Sequence, residues 1–286
     1  MPRIAYVNGR YVAHRAAAVH IEDRGYQFAD GVYEVCEVAR GFIVDSTRHL
    51  DRLDRSLREL QIAQPMARKP LISVMREVIR RNLVTDGMVY LQVSRGVAPR
   101  DHVFPTGIKS ALVVTAKPVD PRLGAAKAEK GVKVITVPEN RWERVDIKSV
   151  GLLPNVLAKQ KAKEAGAQEA WFIDPDGTVK EGASTNAWII TRDGVLVTRP
   201  AETGILRGVT RTTLIDLAKK LDLTVEERPF TVEEAQAARE AFITAATTLV
   251  MPVVEIDGRP VANGHPGTVA ASLRNAFFDI AEKIKA

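Results

Sequence analysis

Residues 145–166 read VDIKSVGLLPNVLAKQKAKEAG, and the lysines of this stretch stand in two different surroundings. Lys148 is alone between Ile147 and a Ser-Val-Gly-Leu-Leu run, whereas three further lysines follow Pro154 in a polar segment. An amine among apolar side chains loses hydration, which lowers its pKa, and the neutral amine is the form that attacks a carbonyl group. In the alternative interpretation, the stem of Lys148 packs on its neighbours while its charged end reaches water or Asp146.

The three later lysines belong to a helix predicted over residues 154–165, because Pro154 suits a first helical turn and Gly166 can end the helix. Helical spacing places Lys159 and Lys163 on one face, which we expect to be solvated. The opposite face is apolar and consists of Leu157, Ala158, Ala162 and Ala165.

Two hairpins and two amphipathic helices are predicted in the first part of the chain. Asn8-Gly9 and Arg40-Gly41 stand between short runs of alternating apolar and polar residues, as in antiparallel hairpins. The segment TRHLDRLDRSLREL then has a helical stripe, and KPLISVMREVIRRNLV predicts a second amphipathic helix. The stripe consists of Leu50, Leu53, Leu57 and Leu60.

The segment KPVDPRLGAAKAEKG, residues 117–131, lacks a sustained period and contains two prolines and two glycines. It therefore predicts a domain boundary. We expect an N-terminal α+β domain over 1–118, a linker over 119–127 and a C-terminal α/β domain over 128–286. The second domain is predicted to alternate strands such as VKVITV and NAWIIT with further helices. Those helices are predicted at 208–221, 231–238 and 266–285.

Composition argues against several classes of protein. Lys plus Arg number 41 against 35 Asp plus Glu, but no basic patch is interleaved with aromatic residues, so no nucleic-acid partner is predicted. Cys36 is the only cysteine, which excludes a disulfide framework within one chain and fits a cytoplasmic protein. We expect no membrane span or signal peptide, since no apolar run is long enough. The five histidines are scattered, and no metal site is predicted.

A second candidate for chemistry lies at the end of a predicted strand in DGTVKEGASTNAWII, residues 176–190. Glu181 is followed by four small residues and then Asn186. A carboxylate with small neighbours can approach a planar ring without steric hindrance. The alternative is an ordinary surface acid.

The segments around Lys148 and Glu181 resemble those of class IV aminotransferases, and the resemblance covers essentially the whole chain. This family includes D-amino acid, branched-chain amino acid and (R)-amine transaminases and aminodeoxychorismate lyase. The resemblance implies a two-domain fold type IV enzyme, mostly of antiparallel sheets, that binds pyridoxal 5'-phosphate (PLP). Lys148 would form the Schiff base with PLP, and Glu181 would pair with its pyridine nitrogen.

Three further segments match the parts of this family that hold the cofactor phosphate. Arg52, in HLDRL, resembles the phosphate-binding arginine, although taken alone it reads as a surface residue paired with Asp51 or Asp54. The segment ETGILRGVTRTTL resembles the loop and helix start that bind phosphate through backbone N–H groups. Where the family has hydroxyl residues this chain has Ala245-Ala246, so Thr247 or backbone groups would serve there. The cofactor contacts implied by the last two segments are Leu206, Gly208, Val209, Thr210, Ala246 and Thr247.

The stretch SRGVAPRDHVFP, residues 94–105, resembles the substrate loop of D-amino acid aminotransferases, and we expect the loop itself at residues 96–107. Arg100, His102 and Tyr33 would bind the substrate carboxylate, and in the family the first two come from the partner subunit of a homodimer. Taken alone, the loop is solvated and Tyr33 packs on its sheet. The resemblance implies transfer of an amino group between a D-amino acid such as D-alanine and a 2-oxo acid such as 2-oxoglutarate. A branched-chain or (R)-amine transaminase, a lyase, or a catalytically silent binding protein remain alternatives.

Overall fold

A computed structural model of the protein describes residues 3–202 and 204–286. The described residues divide into two compact units. The first runs to Pro121 and also includes Ile147–Gly151 and Glu282–Ala286, and the second consists of Arg122–Asp146 and Leu152–Ala281. The predicted limits, 1–118 and 128–286, therefore need correction, since two segments of the later sequence belong to the first unit. Lys148 lies in one of them.

Groups of strands and helices follow one another along the chain. The described strands are β1 (Ile4–Val7), β2 (Arg10–Ala13), β3 (Gly31–Ala39), β4 (Phe42–Val44), β5 (Gly87–Ser94), β6 (Ala111–Pro118), β7 (Val132–Pro138), β8 (Glu169–Ile173), β9 (Val179–Gly182), β10 (Asn186–Ile190), β11 (Leu196–Thr198), β12 (Val225–Glu227), β13 (Glu240–Ala245), β14 (Leu249–Ile256), β15 (Arg259–Pro260) and β16 (Lys283–Lys285). The helices are α1 (Arg24–Phe28), α2 (Ser46–Glu59), α3 (Arg68–Arg81), α4 (Pro121–Lys130), α5 (Leu153–Glu164), α6 (Val209–Lys220), α7 (Val232–Ala237) and α8 (Thr268–Ile280).

The first unit is built on an antiparallel sheet of seven strands in the order β16-β4-β3-β5-β6-β1-β2. Both predicted hairpin turns are confirmed, with φ of 45° and 96° at Asn8 and Gly9 and of 52° and 78° at Arg40 and Gly41. Positive φ at both central residues matches the twist of the flanking strands. The two hairpins thus fix the register of β1 on β2 and of β3 on β4.

Helices α2 and α3 bury one face each in the core of the first unit. Leu50, Leu53 and Leu57 of the predicted stripe are buried, while Leu60 is half-buried against the same core. On α3 the buried face is formed by Leu71, Val74, Met75, Val78 and Ile79. Because helical spacing brings these side chains to one side, the amphipathic pattern alone was sufficient to predict both helices.

The second unit is built on a mixed sheet of nine strands in the order β12-β11-β10-β13-β14-β7-β8-β9, with β15 paired to β14. Its central strands are buried on both faces: the rings of Trp188 and Phe242 stack at 5.5 Å, and those of Trp171 and Phe230 meet edge to face at 6.3 Å. Antiparallel pairs predominate across the two sheets, which confirms the predicted fold class.

Three local predictions were wrong. Helix α4 occupies most of the predicted linker, and none of its described residues is buried, so it has no apolar stripe that periodicity could reveal. The helix predicted to reach residue 285 ends at Ile280, and the chain then forms β16. On α5, Leu157 is 54% exposed although it was expected on the apolar face, whose buried members are Ala158 and Ala162.

Candidate active site

Lys148 lies in the first unit beside strand β3. Its backbone O accepts a hydrogen bond from Tyr33 N at 3.0 Å, and its backbone N donates to Ser56 Oγ at 3.3 Å. Ile147, the residue before it, is buried in the core of the unit. The segment is therefore fixed by its backbone, and the lysine side chain is half-buried. Asp146, the partner considered for a charged lysine, accepts from Arg144 Nε at 2.9 Å.

The amine of Lys148 lies over the ring of Tyr33, with Nζ 4.2 Å from the ring centroid. Tyr33 also stacks on Tyr90, with centroids 5.7 Å apart. Burial, together with the neighbouring Tyr33, raises the pKa of Tyr90 to about 12. Tyr33 thus packs on its sheet, as the structural interpretation expected, and at the same time meets the candidate lysine.

Arg52 projects from α2 into a buried charged cluster on β3. Its Nε and Nη2 donate to the two carboxylate oxygens of Glu34 at 2.7 and 2.8 Å. His49 Nδ1 lies 2.7 Å from Glu34 Oε2. Burial raises the pKa of the Glu34 carboxyl, but the charge and hydrogen bonds of Arg52 and the hydrogen bond with His49 outweigh it and lower that pKa to about 2.

The alternative interpretation, in which Arg52 is a surface residue paired with Asp51 or Asp54, is wrong in its partners, because Arg52 donates to Glu34. Asp51 and Asp54 accept from Arg68 instead, at 2.5 Å each. The sequence analysis missed Glu34, because only the packing of α2 against β3 brings it to Arg52. It also missed His49, which lies three residues before Arg52 on the same helix and pairs with Glu34. The bidentate hold on Glu34 fixes the plane of the Arg52 guanidinium.

Arg100 and His102 lie in the exposed loop after β5 and gather at one aromatic ring of the first unit. The guanidinium carbon of Arg100 is 4.6 Å from the centroid of the Phe28 ring, and the His102 ring is 5.4 Å from it. Arg24 contacts the same ring at 4.7 Å. The structure thus brings the two predicted carboxylate-binding residues together, and Phe28, at the end of α1, was not predicted.

Glu181 lies in the second unit at the end of β9 and is almost fully buried. Oε1 accepts from Arg141 Nη1 at 2.8 Å, while Oε2 accepts from Asn186 Nδ2 at 3.1 Å and from Leu206 N at 3.2 Å. Asn186 also donates to Leu206 O at 3.0 Å. The surface-acid interpretation of Glu181 is therefore wrong. Three donors, one of them cationic, favour its ionised form and fix its position.

Arg141 was not predicted, although it is the cationic partner of Glu181. Its guanidinium donates to Oε1 and Oε2 of Glu139 and lies 4.2 Å from the centroid of the Phe172 ring. The charge and hydrogen bonds of Glu139 and Glu181 outweigh burial and raise the pKa of Arg141. No local pattern in the sequence marks it, since Glu181 is 40 residues away.

Helix α6 of the second unit begins where the phosphate-binding helix was predicted. Gly208 is its N-cap, and among the described residues no side chain caps it, so the first N–H groups keep their capacity for an anion. Val209 and Thr210 are buried in its first turn. Gly208 is required sterically, because a methyl group there would overlap Asn186 Oδ1. Thr203, in the loop before this helix, lies outside the described residues.

Ala246 and Thr247 lie in the turn between β13 and β14 of the second unit. Ala246 is half-buried and Thr247 is exposed. The neighbouring hydroxyl, Thr248 Oγ1, is buried and has no hydrogen-bond partner among the described residues. The turn therefore offers two hydroxyl groups despite the alanine pair at 245–246.

Each unit contains its own part of the predicted site. Lys148, Tyr33, Arg52, Arg100 and His102 belong to the first unit. The second unit contains the remaining predicted residues, which are Glu181, Leu206, Gly208, Val209, Thr210, Ala246 and Thr247. Among the described residues, no group of three or more His, Cys, Asp or Glu side chains could hold a metal ion.

Comparison with known proteins connects the chain to one family. The family model described as Amino-transferase class IV matches residues 31–256. The D-alanine aminotransferase of Bacillus licheniformis is 40% identical over 270 residues, covering 94% of each chain. That of Listeria innocua is 39% identical over 274 residues, covering 96% of this chain and 94% of the other.

A solved structure is similar over the same length. The branched-chain amino acid aminotransferase of Escherichia coli superimposes with a TM-score of 0.90 and 26% identity. The match covers 98% of this chain and 95% of that chain.

Proposed function

Because this chain belongs to the class IV aminotransferases, we propose that it moves an amino group between a D-amino acid, such as D-alanine, and a 2-oxo acid, such as 2-oxoglutarate. The reaction would run in two halves with ping-pong kinetics. The support is the identity with D-alanine aminotransferases across nearly the full length of both proteins. Within the structure, the main support is that Arg100 and His102 lie together at the ring of Phe28.

The residues present fit pyridoxal 5'-phosphate. Lys148 would supply an amine for its aldehyde, and Glu181 would supply a buried carboxylate for its ring nitrogen. Arg52 and the first turn of α6 would supply a cation and N–H groups for its phosphate. When bound, the cofactor accepts the electrons left at Cα after a proton leaves. We assign Leu206, Gly208, Val209, Thr210, Ala246 and Thr247 to the same cofactor.

Lys148 would also act as general base and acid. Its Nζ would be released when the substrate amine takes its place. The free amine would then remove the proton from substrate Cα and donate it to the cofactor. The ring of Tyr33, 4.2 Å from Nζ, limits where that amine can lie. Glu181 would remain ionised during these steps, since Arg141 and two further donors stabilise its charge.

Arg100, His102 and Tyr33 would bind the substrate carboxylate and thereby decide which enantiomer reacts. A guanidinium, an imidazole and a phenol are all donors suited to a carboxylate. Lys148 would move the proton on one face of Cα. The side on which the carboxylate is held would therefore determine the configuration of the amino acid at Cα. We assign the D-enantiomer because the loop resembles that of D-amino acid aminotransferases.

We propose a homodimer in which this loop serves the partner's site. Arg100 and His102 are exposed within one chain, and large apolar side chains of the same unit are exposed as well, among them Ile21, Tyr26 and Val103 at 72–76%. Such exposure is typical of a surface that another chain covers. We also assign the protein to the cytoplasm, where its lone Cys36 stays reduced. In the described part of the chain, no helix is long and apolar enough to cross a membrane.

Replacing Lys148 by Ala should abolish transamination of D-alanine, because the amine that holds the cofactor and moves the proton is gone. Reduction with borohydride followed by digestion and mass spectrometry should place the cofactor on the Lys148 peptide of the wild type and on no peptide of the variant. Lys163→Ala, which alters an exposed lysine of α5, is the matched control and should behave as wild type. Cofactor attached at a different lysine would refute the assignment.

The branched-chain alternative is supported by the fold similarity to the enzyme of Escherichia coli. A screen of both enantiomers of alanine and leucine with 2-oxoglutarate separates the two functions. Turnover of D-alanine without L-leucine supports the proposal, and turnover of L-amino acids alone refutes it.

A further inference from the structure

An acidic residue of the first unit holds two buried arginines at once. Asp30 Oδ2 accepts from Arg24 Nε at 2.8 Å and from Arg95 Nε at 2.7 Å, while Oδ1 accepts from Arg95 Nη2 at 3.0 Å. Both arginine side chains are at most 7% exposed. Burial raises the pKa of Asp30, but the hydrogen bonds of Arg95 and Arg24 outweigh it and lower that pKa overall. The carboxylate is thus ionised at neutral pH.

Each arginine extends from Asp30 to a different piece of backbone. Arg95 donates to Leu60 O at 2.7 Å and Gln61 O at 2.9 Å, which ties it to the end of α2. Arg24 Nη1 donates to Asp101 O at 2.5 Å, and Asp101 is the residue between Arg100 and His102. The network therefore connects the core of the first unit to the middle of the substrate loop.

The base of the same loop is tied to the N-cap and first residue of α1. Arg24 N donates to Gly96 O at 2.9 Å, and Ser94 Oγ donates to Asp23 Oδ2 at 2.9 Å. Gly96 has φ of 112°, a value that suits glycine, and a side chain there would overlap the backbone of Lys109. The loop is thus held at its start and, through Arg24, at its middle.

Phe28 contacts both Arg24 and the side chains of the loop. Its ring meets the guanidinium groups of Arg24 and Arg100 at 4.7 and 4.6 Å and the ring of His102 at 5.4 Å. Cations over an aromatic face are attracted to it. Arg24 therefore fixes the backbone between the two loop residues, and Phe28 fixes their side chains.

We propose that Asp30, Arg24 and Phe28 are positioning residues that preset Arg100 and His102 for the substrate carboxylate. This inference rests on the proposed function, in which those two residues bind the carboxylate. The alternative is that the network only stabilises the fold. Positioning predicts a loss confined to substrates that have a carboxylate, whereas a structural role lowers every activity alike.

The test uses Arg24→Lys in the cofactor-loaded enzyme. Lysine keeps the charge opposite Asp30 but lacks the second nitrogen that reaches Asp101 O. Rates of the first half-reaction, followed by cofactor absorbance, are compared for D-alanine and for D-alaninamide, which has no carboxylate. We expect kcat/KM for D-alanine to fall by about 10- to 100-fold, mainly through KM, and that for D-alaninamide to change less than about twofold. Phe28→Leu should show the same selectivity with the ion pairs intact.

A second measurement does not depend on activity. Amide hydrogen exchange of residues 96–107 should become faster in Arg24→Lys and in Asp30→Asn than in the wild type, since the loop loses its central hydrogen bond. Arg68→Lys is the matched control: this arginine also pairs with two aspartates but contacts no residue of the loop in the described structure, and both readouts should stay at wild-type values.

The outcomes separate the two hypotheses. If the wild type converts D-alanine while Arg24→Lys keeps its kcat/KM and its exchange rates, the inference is wrong and the proposed function stands. Equal losses for D-alanine and D-alaninamide also overturn it, in favour of a structural role. A wild type without activity on D-alanine refutes the proposed function and, with it, the inference.

Discussion

Replacing Glu34 by Gln should lower the free energy of unfolding by about 3–5 kcal/mol at pH 7, because it leaves the Arg52 charge buried without its carboxylate. Glu34 is fully buried and accepts three hydrogen bonds, two from Arg52 and one from His49. Glutamine has the same shape but offers only one acceptor oxygen and no charge. The cost is therefore electrostatic and changes with pH in a defined direction.

The pH dependence follows from the pKa of Glu34, which is lowered from an ordinary 4.5 to about 2 in the folded protein. A carboxyl with a lowered folded pKa stabilises the fold above its unfolded pKa, and this stabilisation is lost as pH falls toward the folded pKa. Since one pKa unit corresponds to about 1.4 kcal/mol, the full contribution is about 3 kcal/mol at pH 7. About 1.4 kcal/mol of it is lost by pH 3.5 and about 2 kcal/mol by pH 3.

Urea unfolding of wild type and Glu34→Gln, both freed of cofactor, should be followed at pH 7 and pH 3.5. We expect the difference between them to shrink by about 1.4 kcal/mol at the lower pH. Glu77→Gln is the control, because Glu77 also pairs with two arginines, Arg80 and Arg81, but at the water-exposed surface of α3, where solvent screens the charges. A Glu34→Gln difference that matched the control, or that did not change with pH, would refute the reasoning.

Two substitutions of glycine test other contacts. Gly208→Ala places a methyl group against Asn186 Oδ1 and should displace the Asn186 amide that donates to Glu181. Affinity for pyridoxal 5'-phosphate, measured by fluorescence titration, should therefore fall about tenfold. An unchanged affinity would contradict this. Gly267→Ala places a methyl group against Glu240, whose carboxylate accepts hydrogen bonds from the first N–H groups of α8. The loss of this cap should lower the melting temperature by about 2–4 °C. A wild-type melting temperature would show that the cap is not needed.

The elements that could be predicted are those fixed by neighbours within one or two turns. The stripe that includes Leu50, Leu53 and Leu57 predicted α2, and Asn8-Gly9 predicted the first hairpin, because spacing and turn chemistry are local properties. Helix α4 could not be found by the same means, since none of its described side chains is buried. Its Ala128 is only partly buried against the core of the second unit, and one such contact leaves no recurring apolar pattern in the sequence.

Residues paired over long distances in the sequence also escaped prediction. Arg52 was matched to a role but not to Glu34, and Arg141 was missed, because a buried ion pair depends on two strands or helices meeting in space. Asp30 illustrates the same limit: its partner Arg95 is 65 residues away. Resemblance to a family can identify a site residue when its segment keeps a recognisable motif, as around Lys148. It does not identify an ion-pair partner that lies outside such a motif.

The position of β16 near the end of the sequence delays the completion of the sheet of the first unit. It pairs with β4 through Lys283, Ile284 and Lys285, whereas every other strand of that sheet ends by Pro118. At usual ribosome speeds the intervening stretch takes on the order of ten seconds to make. Throughout that time the edge of β4 is open to pairing with other chains. The first unit therefore cannot complete its sheet until the second unit has been synthesised.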